Sequence, residues 1–81
     1  MTVDHDAAEP PWRQLAAILR GQIQSGKLAP GDRLPSILTL SQEYEIAPVT
    51  VRKALNALKA EGLLAAESGW GTFVTRERSP G

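Results

Sequence analysis

The chain has 81 residues, 42% of them hydrophobic, and nine lysine and arginine residues balance nine aspartate and glutamate residues to a net charge of zero. This length suffices for one domain with a modest core, but it leaves little room for a deep catalytic pocket. The absence of cysteine excludes disulfides and thiolate metal sites and is consistent with a reducing cytoplasm, while no apolar run is long enough for a transmembrane helix.

The first eleven residues, MTVDHDAAEPP, are predicted to form a disordered arm because they are polar and end in two prolines. They contain three of the acidic residues, so residues 12–81 carry nine cations against six acids, a net charge of +3. That charge neither establishes nor excludes DNA as a partner. The arm contains His5, but no second metal ligand lies near it in sequence, so no metal site is predicted.

A first helix is predicted from about Pro11 to Ser25. Proline suits the first turn, where its missing N–H is not needed, and Gly26 follows as a C-terminal glycine. The apolar stripe that would pack into the core comprises Trp12, Leu15, Ile18, Leu19 and Ile23. Arg13 and Arg20 lie off this stripe, where they either help to attract phosphate or are simply exposed to solvent.

The segment LAPGDRLPS predicts a turn at its Pro-Gly pair, followed by a very short strand at residues 32–34. Ser36 is then a good N-cap for a second helix over residues 37–44. The inner face of that helix is expected to hold Ile37, Leu40, Ser41 and Tyr44. Leu38 and Thr39 point away from this face.

The third helix, at about residues 48–61, is predicted to be the DNA-reading element. Its buried face is formed at helical spacing by Val51, Ala54, Leu55 and Leu58. Its exposed face carries Val49, Arg52, Lys53 and Asn56, with Thr50 on the flank. A short polar and basic helix face on a small domain is typical of DNA recognition, although the solvated face of an ordinary helix has the same pattern.

Only three residues, 45–47, separate the second helix from the third, and so tight a connection predicts a helix-turn-helix. Gly62 ends the third helix. Two runs able to form strands follow, residues 63–67 and 71–75, and Ser68-Gly69-Trp70 joins them as the tip of a hairpin.

The order of these elements predicts a winged helix-turn-helix. Its fold class is mainly α with a small β-hairpin (α+β), with three helices and a two- to three-stranded antiparallel wing. Residues 12–75 would form this domain, residues 1–11 its arm and residues 76–81 a polar tail.

These features resemble the N-terminal DNA-binding domain of the GntR family of bacterial transcription regulators. The motif-bearing segments are LRGQIQSGKLAPGDRLPS, TVRKALNALKAEGLL and GWGTFV, and the resemblance spans about residues 12–74. It implies that the third helix enters the major groove and that the wing at residues 68–72 lies at the adjacent minor groove or backbone. Regulators of this family normally carry a larger C-terminal effector-binding domain, so the chain is expected either to be an excised domain or to be switched by a partner.

Some residues at family motif positions are implied to contact DNA. Ser36 and Thr50 match residues that touch phosphates, and Arg52 matches an arginine that binds the backbone. Gly69 and Gly71 match glycines that let the wing approach DNA, a role that suits residues without a Cβ; Thr72 belongs to the same motif. A purely structural role is also open for most of them: a cap, a first-turn residue or a turn-forming glycine.

The complete set of predicted DNA-binding residues combines the helix, the second-helix start and the wing. It comprises Ser36, Thr39, Pro48, Val49, Thr50, Arg52, Lys53, Asn56, Gly69, Trp70, Gly71 and Thr72.

The chain also departs from the family pattern at the reading surface. Leu38 replaces a usual arginine, Ala47-Pro48 replaces a Ser/Thr–Arg pair that reads guanine, Val49 replaces a polar residue, and Glu67 replaces a basic residue at the foot of the wing. A bidentate arginine–guanine contact contributes roughly 1–3 kcal/mol of discrimination. The usual recognition mode is therefore expected to be weakened, and the usual operator sequence is not assumed.

The leading hypothesis is a sequence-specific DNA-binding transcription regulator. Val49 would contact a thymine methyl group, Lys53 and Asn56 would reach base edges, and Arg52, Thr50 and Ser36 would hold phosphates. Double-stranded DNA is the expected partner, and a homodimer on DNA or a protein partner are both left open. We expect a cytoplasmic, nucleoid-associated protein with no cofactor, no small-molecule effector site in this chain and no membrane contact.

The alternative is a winged-helix protein-interaction module with weakened DNA binding. It rests on an apolar set, Leu38, Pro48, Val49 and Trp70, at positions that face DNA in the family. Trp70 would then anchor a partner, whereas on DNA it would wedge into a minor groove, and it can also fold back onto its own domain. An enzyme is not predicted, because the sequence has no nucleophile–base pair, carboxylate pair or phosphate loop placed by a motif.

Overall fold

The computed structural model describes residues 8–67 and 71–75. Three helices come first: α1 (Pro11–Gln24), α2 (Ile37–Tyr44) and α3 (Pro48–Ala60). Two strands follow, β1 (Leu64–Glu67) and β2 (Gly71–Val74). The predicted fold class is confirmed: the molecule is a winged helix-turn-helix.

The helices begin and end close to the predicted residues, for the expected physical reasons. Pro11 and Pro48 occupy the first turns of α1 and α3, where the missing N–H has no intrahelical partner to lose. Ser36 caps α2 by accepting the Thr39 N–H at 3.1 Å. Past the end of α3, Gly62 has a φ of +79°, a conformation that favours glycine after a helix.

The turn of the helix-turn-helix is held from both sides. Glu45 ends α2 with a φ of +54°, and the next residue, Ile46, is buried. The Ile46 N–H donates to the Ser41 carbonyl at 3.1 Å, while the Ser41 hydroxyl donates to the Ile46 carbonyl. These bonds fix the direction in which α3 leaves the turn.

The wing is an antiparallel hairpin in which Leu64 pairs with Val74 and Glu67 pairs with Gly71. The predicted strand at residues 32–34 is present as a single bridge between Arg33 and Phe73. Backbone bonds of 2.8 Å surround this bridge, joining Gly31 to Val74, Leu34 to Thr72 and Val74 to Asp32. The segment before α2 is therefore tied to β2, which fixes the wing beside the second helix.

One apolar core joins all of these elements. The inner faces predicted for the three helices are confirmed as its sources, and Leu34, Ile46 and two strand residues complete it. Its buried members are Leu15, Ala16, Leu19, Ile23, Leu34, Leu40, Tyr44, Ile46, Val51, Ala54, Leu55, Leu58, Leu64 and Val74. Trp12, Ile18 and Ile37 pack against it while half-buried. Burial raises the pKa of the Tyr44 hydroxyl above its ordinary value.

The predicted arm and tail lie largely outside the described ranges, and their disorder stays a prediction. In the described part of the chain, the Pro10 carbonyl accepts the N–H groups of Arg13 and Gln14, so the ordered backbone begins slightly before residue 12. No helix within the described ranges is long and apolar enough to cross a membrane.

Candidate nucleic-acid interface

The outer face of α3 gathers the predicted helix residues. Arg52, Lys53 and Asn56 are exposed, and the Val49 side chain is 73% exposed. Thr50 is half-buried on the flank. Opposite them, the inner residues of the helix lie in the core, so this outer face is held in place and open to a ligand.

The first turn of α3 has little capacity for hydrogen bonding. Its N-cap, Ala47, provides no side-chain cap, and Pro48 has no N–H. The N–H groups of Thr50 and Val51 both donate to the Ala47 carbonyl, at 2.9 and 3.1 Å. Of the first four helical positions, only Val49 keeps an N–H for which the described residues supply no acceptor.

The start of α2 is polar by comparison. The Ser36 hydroxyl accepts the Thr39 N–H and donates its own proton to Thr39 Oγ1 at 2.9 Å. Thr39 therefore retains its hydroxyl proton for another acceptor, while that of Ser36 is donated to Thr39 Oγ1. Both predicted residues are exposed, and Leu38 between them is 62% exposed.

A groove of about 420 Å³ separates the start of α2 from the wing, and Ser36, Leu38, Gly71 and Thr72 contribute to its walls. Gly71 is exposed with a φ of +79°, and a Cβ there would lie 4.0 Å from Arg33 Nε. Gly71 and Thr72 thus lie beside the start of α2, as the predicted site requires.

Arg33 is a candidate that was not among the residues predicted from the sequence. It is exposed, lines this groove and makes no ion pair within the described ranges. The short strand predicted at residues 32–34 could have indicated it. Successive side chains of a strand point to opposite faces, so Arg33 projects outward when its neighbour Leu34 is buried. Its position beside the wing became visible only from the bridge to Phe73.

Lys53 lies at the side of the outer face nearest α1. Its Nζ is 5.0 Å from the centroid of the Trp12 ring, within the range of a cation–π contact. The sequence predicted Trp12 as a core residue alone, and its 41-residue separation from Lys53 gave no sign of this contact. The contact orients the Lys53 ammonium group, which remains exposed.

The two arginines considered as phosphate attractors on α1 are paired with carboxylates. Arg20 Nε donates to Glu61 Oε1 at 2.8 Å, and a second bond joins the same side chains. These bonds lower the pKa of Glu61 and raise that of Arg20. Arg13 Nε lies 3.9 Å from Glu9 Oε1. Solvent exposure and these ion pairs thus explain the presence of both arginines without a contact to phosphate.

Three predicted features lie outside the described residues: Gly69, Trp70 and the side chain of Glu67. Of the apolar set behind the protein-interaction alternative, Leu38, Pro48 and Val49 are exposed. Within the described part of the chain, no group of three or more potential metal ligands comes together.

Comparison with protein families gives a match that covers most of the chain. The family described as "Bacterial regulatory proteins, gntR family" matches residues 11–74. Among curated relatives, the mannosyl-D-glycerate transport/metabolism system repressor MngR of Escherichia coli is 43% identical over 70 residues, which is 86% of this chain and 29% of MngR. The transcriptional repressor NagR of Bacillus subtilis is 36% identical over 78 residues, or 96% of this chain and 32% of NagR. The chain thus spans about a third or less of these relatives.

Solved structures agree with this match. YtrA from Sulfolobus acidocaldarius, a GntR-family transcription factor, superposes with a TM-score of 0.86 at 33% identity, covering 94% of this chain and 80% of YtrA. The DNA-binding domain of AraR in complex with operator ORR3 gives a TM-score of 0.81 at 30% identity, covering 89% of this chain and 87% of that one. The names of these relatives describe repressors, a transcription factor and a DNA-binding domain, in agreement with the prediction of a regulator and not an enzyme. The chain belongs to the GntR family of bacterial regulatory proteins, as a winged helix-turn-helix domain of the DNA-binding type.

Proposed function

We propose that this chain binds double-stranded operator DNA as the DNA-binding part of a transcription regulator, with α3 in the major groove. The observation that carries the proposal is the outer face of α3, where Arg52, Asn56 and Val49 are exposed on a helix whose other side is anchored in the core. A helix held in this way can enter a groove without losing its own packing. The superposition on the AraR domain, which was solved with operator DNA, supports DNA as the ligand.

The polar residues divide into two roles in this proposal. Arg52, Thr39 and Arg33 contact phosphates, because their donors are exposed and free of ion pairs within the described ranges. Thr50 flanks this set, and Ser36 supports it chiefly through the cap of α2. Asn56 reaches a base edge, since its amide can pair with adenine in the major groove.

The wing completes the proposed contact surface. Gly71 and Thr72 lie across the groove from Ser36 and Leu38, so DNA held by α2 and α3 would meet the wing at the next stretch of backbone. Arg33 lines the same groove. It supplies a cation close to Leu38, which stands in α2 where the family usually has an arginine. Gly69 and Trp70 are part of the same proposal on sequence grounds.

We expect weak binding by a single domain. One winged helix offers few contacts, and regulators of this kind gain affinity from paired sites. A homodimer on DNA, or a protein partner that holds two domains together, would provide the second site. A DNA ligand also implies a cytoplasmic location at the nucleoid.

The test is a titration against a genomic fragment library at about 50 and about 200 mM salt. Wild type should select particular fragments. Arg52→Ala should bind more weakly across all of them. The negative slope of log affinity against log salt should become shallower by about one unit, because one phosphate contact is lost. Arg33→Ala should behave similarly.

Lys27→Ala is the matched control for the loss of a cation. Lys27 is exposed, follows α1 and lines a pocket with Glu43 and Tyr44 at the end of α2 opposite to its start. It should therefore leave the salt slope nearly unchanged. Binding without sequence preference, or an Arg52→Ala slope equal to that of wild type, would contradict the proposal.

A further inference from the structure

Two large hydrophobic side chains stay exposed within residues 8–67 and 71–75, those of Leu38 and Val49. Each is the second residue of its helix, α2 and α3 respectively. They therefore occupy equivalent places at the two helix starts of the helix-turn-helix. Burying either side chain in a contact would be favourable, so both are candidates for an apolar contact with a ligand at this surface.

The chemistry of the α3 start limits what Val49 can recognise. Ala47, Pro48 and Val49 have no side-chain donor or acceptor, and the backbone N–H groups of Ala47 and Val49 are the two among them without an acceptor in the described residues. Such a turn has no side chain that could distinguish base pairs by hydrogen-bond pattern. It can distinguish them by apolar contact, and the C5-methyl group of thymine is the apolar feature of a base edge in the major groove.

We propose that Val49 makes this domain a reader of pyrimidine C5-methyl groups, while Leu38 offers a second exposed apolar side chain at the start of α2. This inference rests on the proposed DNA binding and specifies its ligand class. The contact depends on the methyl group and not on the rest of the base. The domain should therefore also recognise 5-methylcytosine, so cytosine methylation of a site would change its affinity.

DNA is favoured over a protein as the ligand for this apolar pair because of its neighbours. Arg52 and Asn56 share the exposed helix face with Val49, and Leu38 lies between Ser36 and Thr39 along α2. An apolar contact bordered by a cation, an amide and hydroxyls matches a thymine methyl flanked by phosphates and base edges.

The experiment isolates the methyl group in two independent ways. The preferred duplex is first selected from a randomised pool with wild-type protein. Each thymine is then replaced by deoxyuridine, which keeps adenine as its pair and lacks only the methyl group. Separately, the same positions are changed to cytosine and to 5-methylcytosine, both paired with guanine, and all duplexes are titrated.

At one or more positions, deoxyuridine should weaken wild-type binding roughly three- to five-fold, the effect of one buried methyl-sized group. At the same positions, 5-methylcytosine should bind more tightly than cytosine by a similar factor. In Val49→Ala both differences should shrink towards one-fold. Val49→Ile, which keeps the branched apolar contact, should retain them, and Val49 is exposed enough for both variants to fold.

If wild type selects its sequence but binds the thymine and deoxyuridine duplexes equally, the proposed recognition of methyl groups is wrong. The proposed DNA binding would still stand. Equal methyl discrimination in wild type and Val49→Ala would overturn the role of Val49. Loss of sequence selection by wild type itself would instead contradict the proposed function and favour a protein ligand for this surface.

Discussion

Leu38 and Leu40 are the same residue type two positions apart in α2, yet the first is 62% exposed and the second 2%. Val49 and Val51 repeat this difference in α3, at 73% and 0%. Residues two apart on a helix point in nearly opposite directions, so each pair contributes one side chain to the core and one to the outer surface. The inner members stabilise the fold, and the outer members are available for a ligand.

The comparison predicts that stability and DNA binding can be changed separately. Its largest expected effect is in Leu40→Ala, which should lower the free energy of unfolding by about 2–5 kcal/mol because it leaves a cavity in the core. Leu38→Ala should change it by no more than about 0.5 kcal/mol, since that side chain is already exposed. Urea denaturation followed by circular dichroism measures both.

DNA titration of the same two variants completes the test. At a temperature where both are folded, Leu38→Ala should weaken binding and Leu40→Ala should leave it close to wild type. Similar stability losses in the two variants would show that α2 does not have the two distinct sides described above.

Two variants of Ser36 distinguish its role as the cap of α2 from a contact with phosphate. Ser36→Ala removes the acceptor for the Thr39 N–H and should cost about 1 kcal/mol of stability. Ser36→Asp keeps a capping acceptor and should retain most of that stability. Its added negative charge should weaken DNA binding if phosphate lies near this position.

These effects are read from thermal unfolding and from a DNA titration at constant salt. Undiminished DNA affinity in Ser36→Asp would remove the start of α2 from the contact surface, whatever its effect on stability.

The smallest expected effect concerns the far end of α3, where Arg20 holds Glu61. The pKa of Glu61 is lowered in the folded protein from an ordinary value of 4.5, so the pair stabilises the fold above that pH. Its contribution is lost as the pH falls below about 4.5 and the carboxylate is protonated. The side chains are about a third exposed, which limits the contribution to about 1 kcal/mol or less.

Glu61→Gln should therefore be less stable than wild type at pH 7, and the difference should shrink on acidification. Glu9→Gln is the matched control, because Glu9 and Arg13 are more exposed and lie 3.9 Å apart; it should have a smaller effect. Neither variant should lower DNA affinity. A wild-type advantage that grows between pH 5 and pH 3 would contradict the assigned direction of the pKa shift.

Much of the fold was predictable because its signals are local. The helix limits are marked within one or two residues by Pro11 and Pro48, by the Ser36 cap and by Gly62. The inner faces follow from helical spacing, which places alternate residues such as Leu38 and Leu40 on different sides. The short segment at residues 32–34 was expected as a strand, and forms one bridge.

The site was predictable only in outline, because its remaining contacts join residues far apart in sequence. Nothing in the local pattern near Lys53 indicates Trp12, and nothing near Arg20 indicates Glu61. Arg33 became a candidate only through its pairing with Phe73 in the wing. Sequence spacing gives the direction of a side chain on its own helix, whereas these pairs depend on how the helices and the hairpin pack.

The most direct test of the central claim is site-specific crosslinking to DNA. The chain has no cysteine, so single Val49→Cys and Lys27→Cys variants can each carry one photoreactive group. On the selected duplex, the group at position 49 should crosslink to bases beneath the start of α3, and the group at position 27 should not crosslink appreciably. Equal crosslinking from the two positions, or none from position 49 in a complex that demonstrably forms, would contradict the placement of α3 in the major groove.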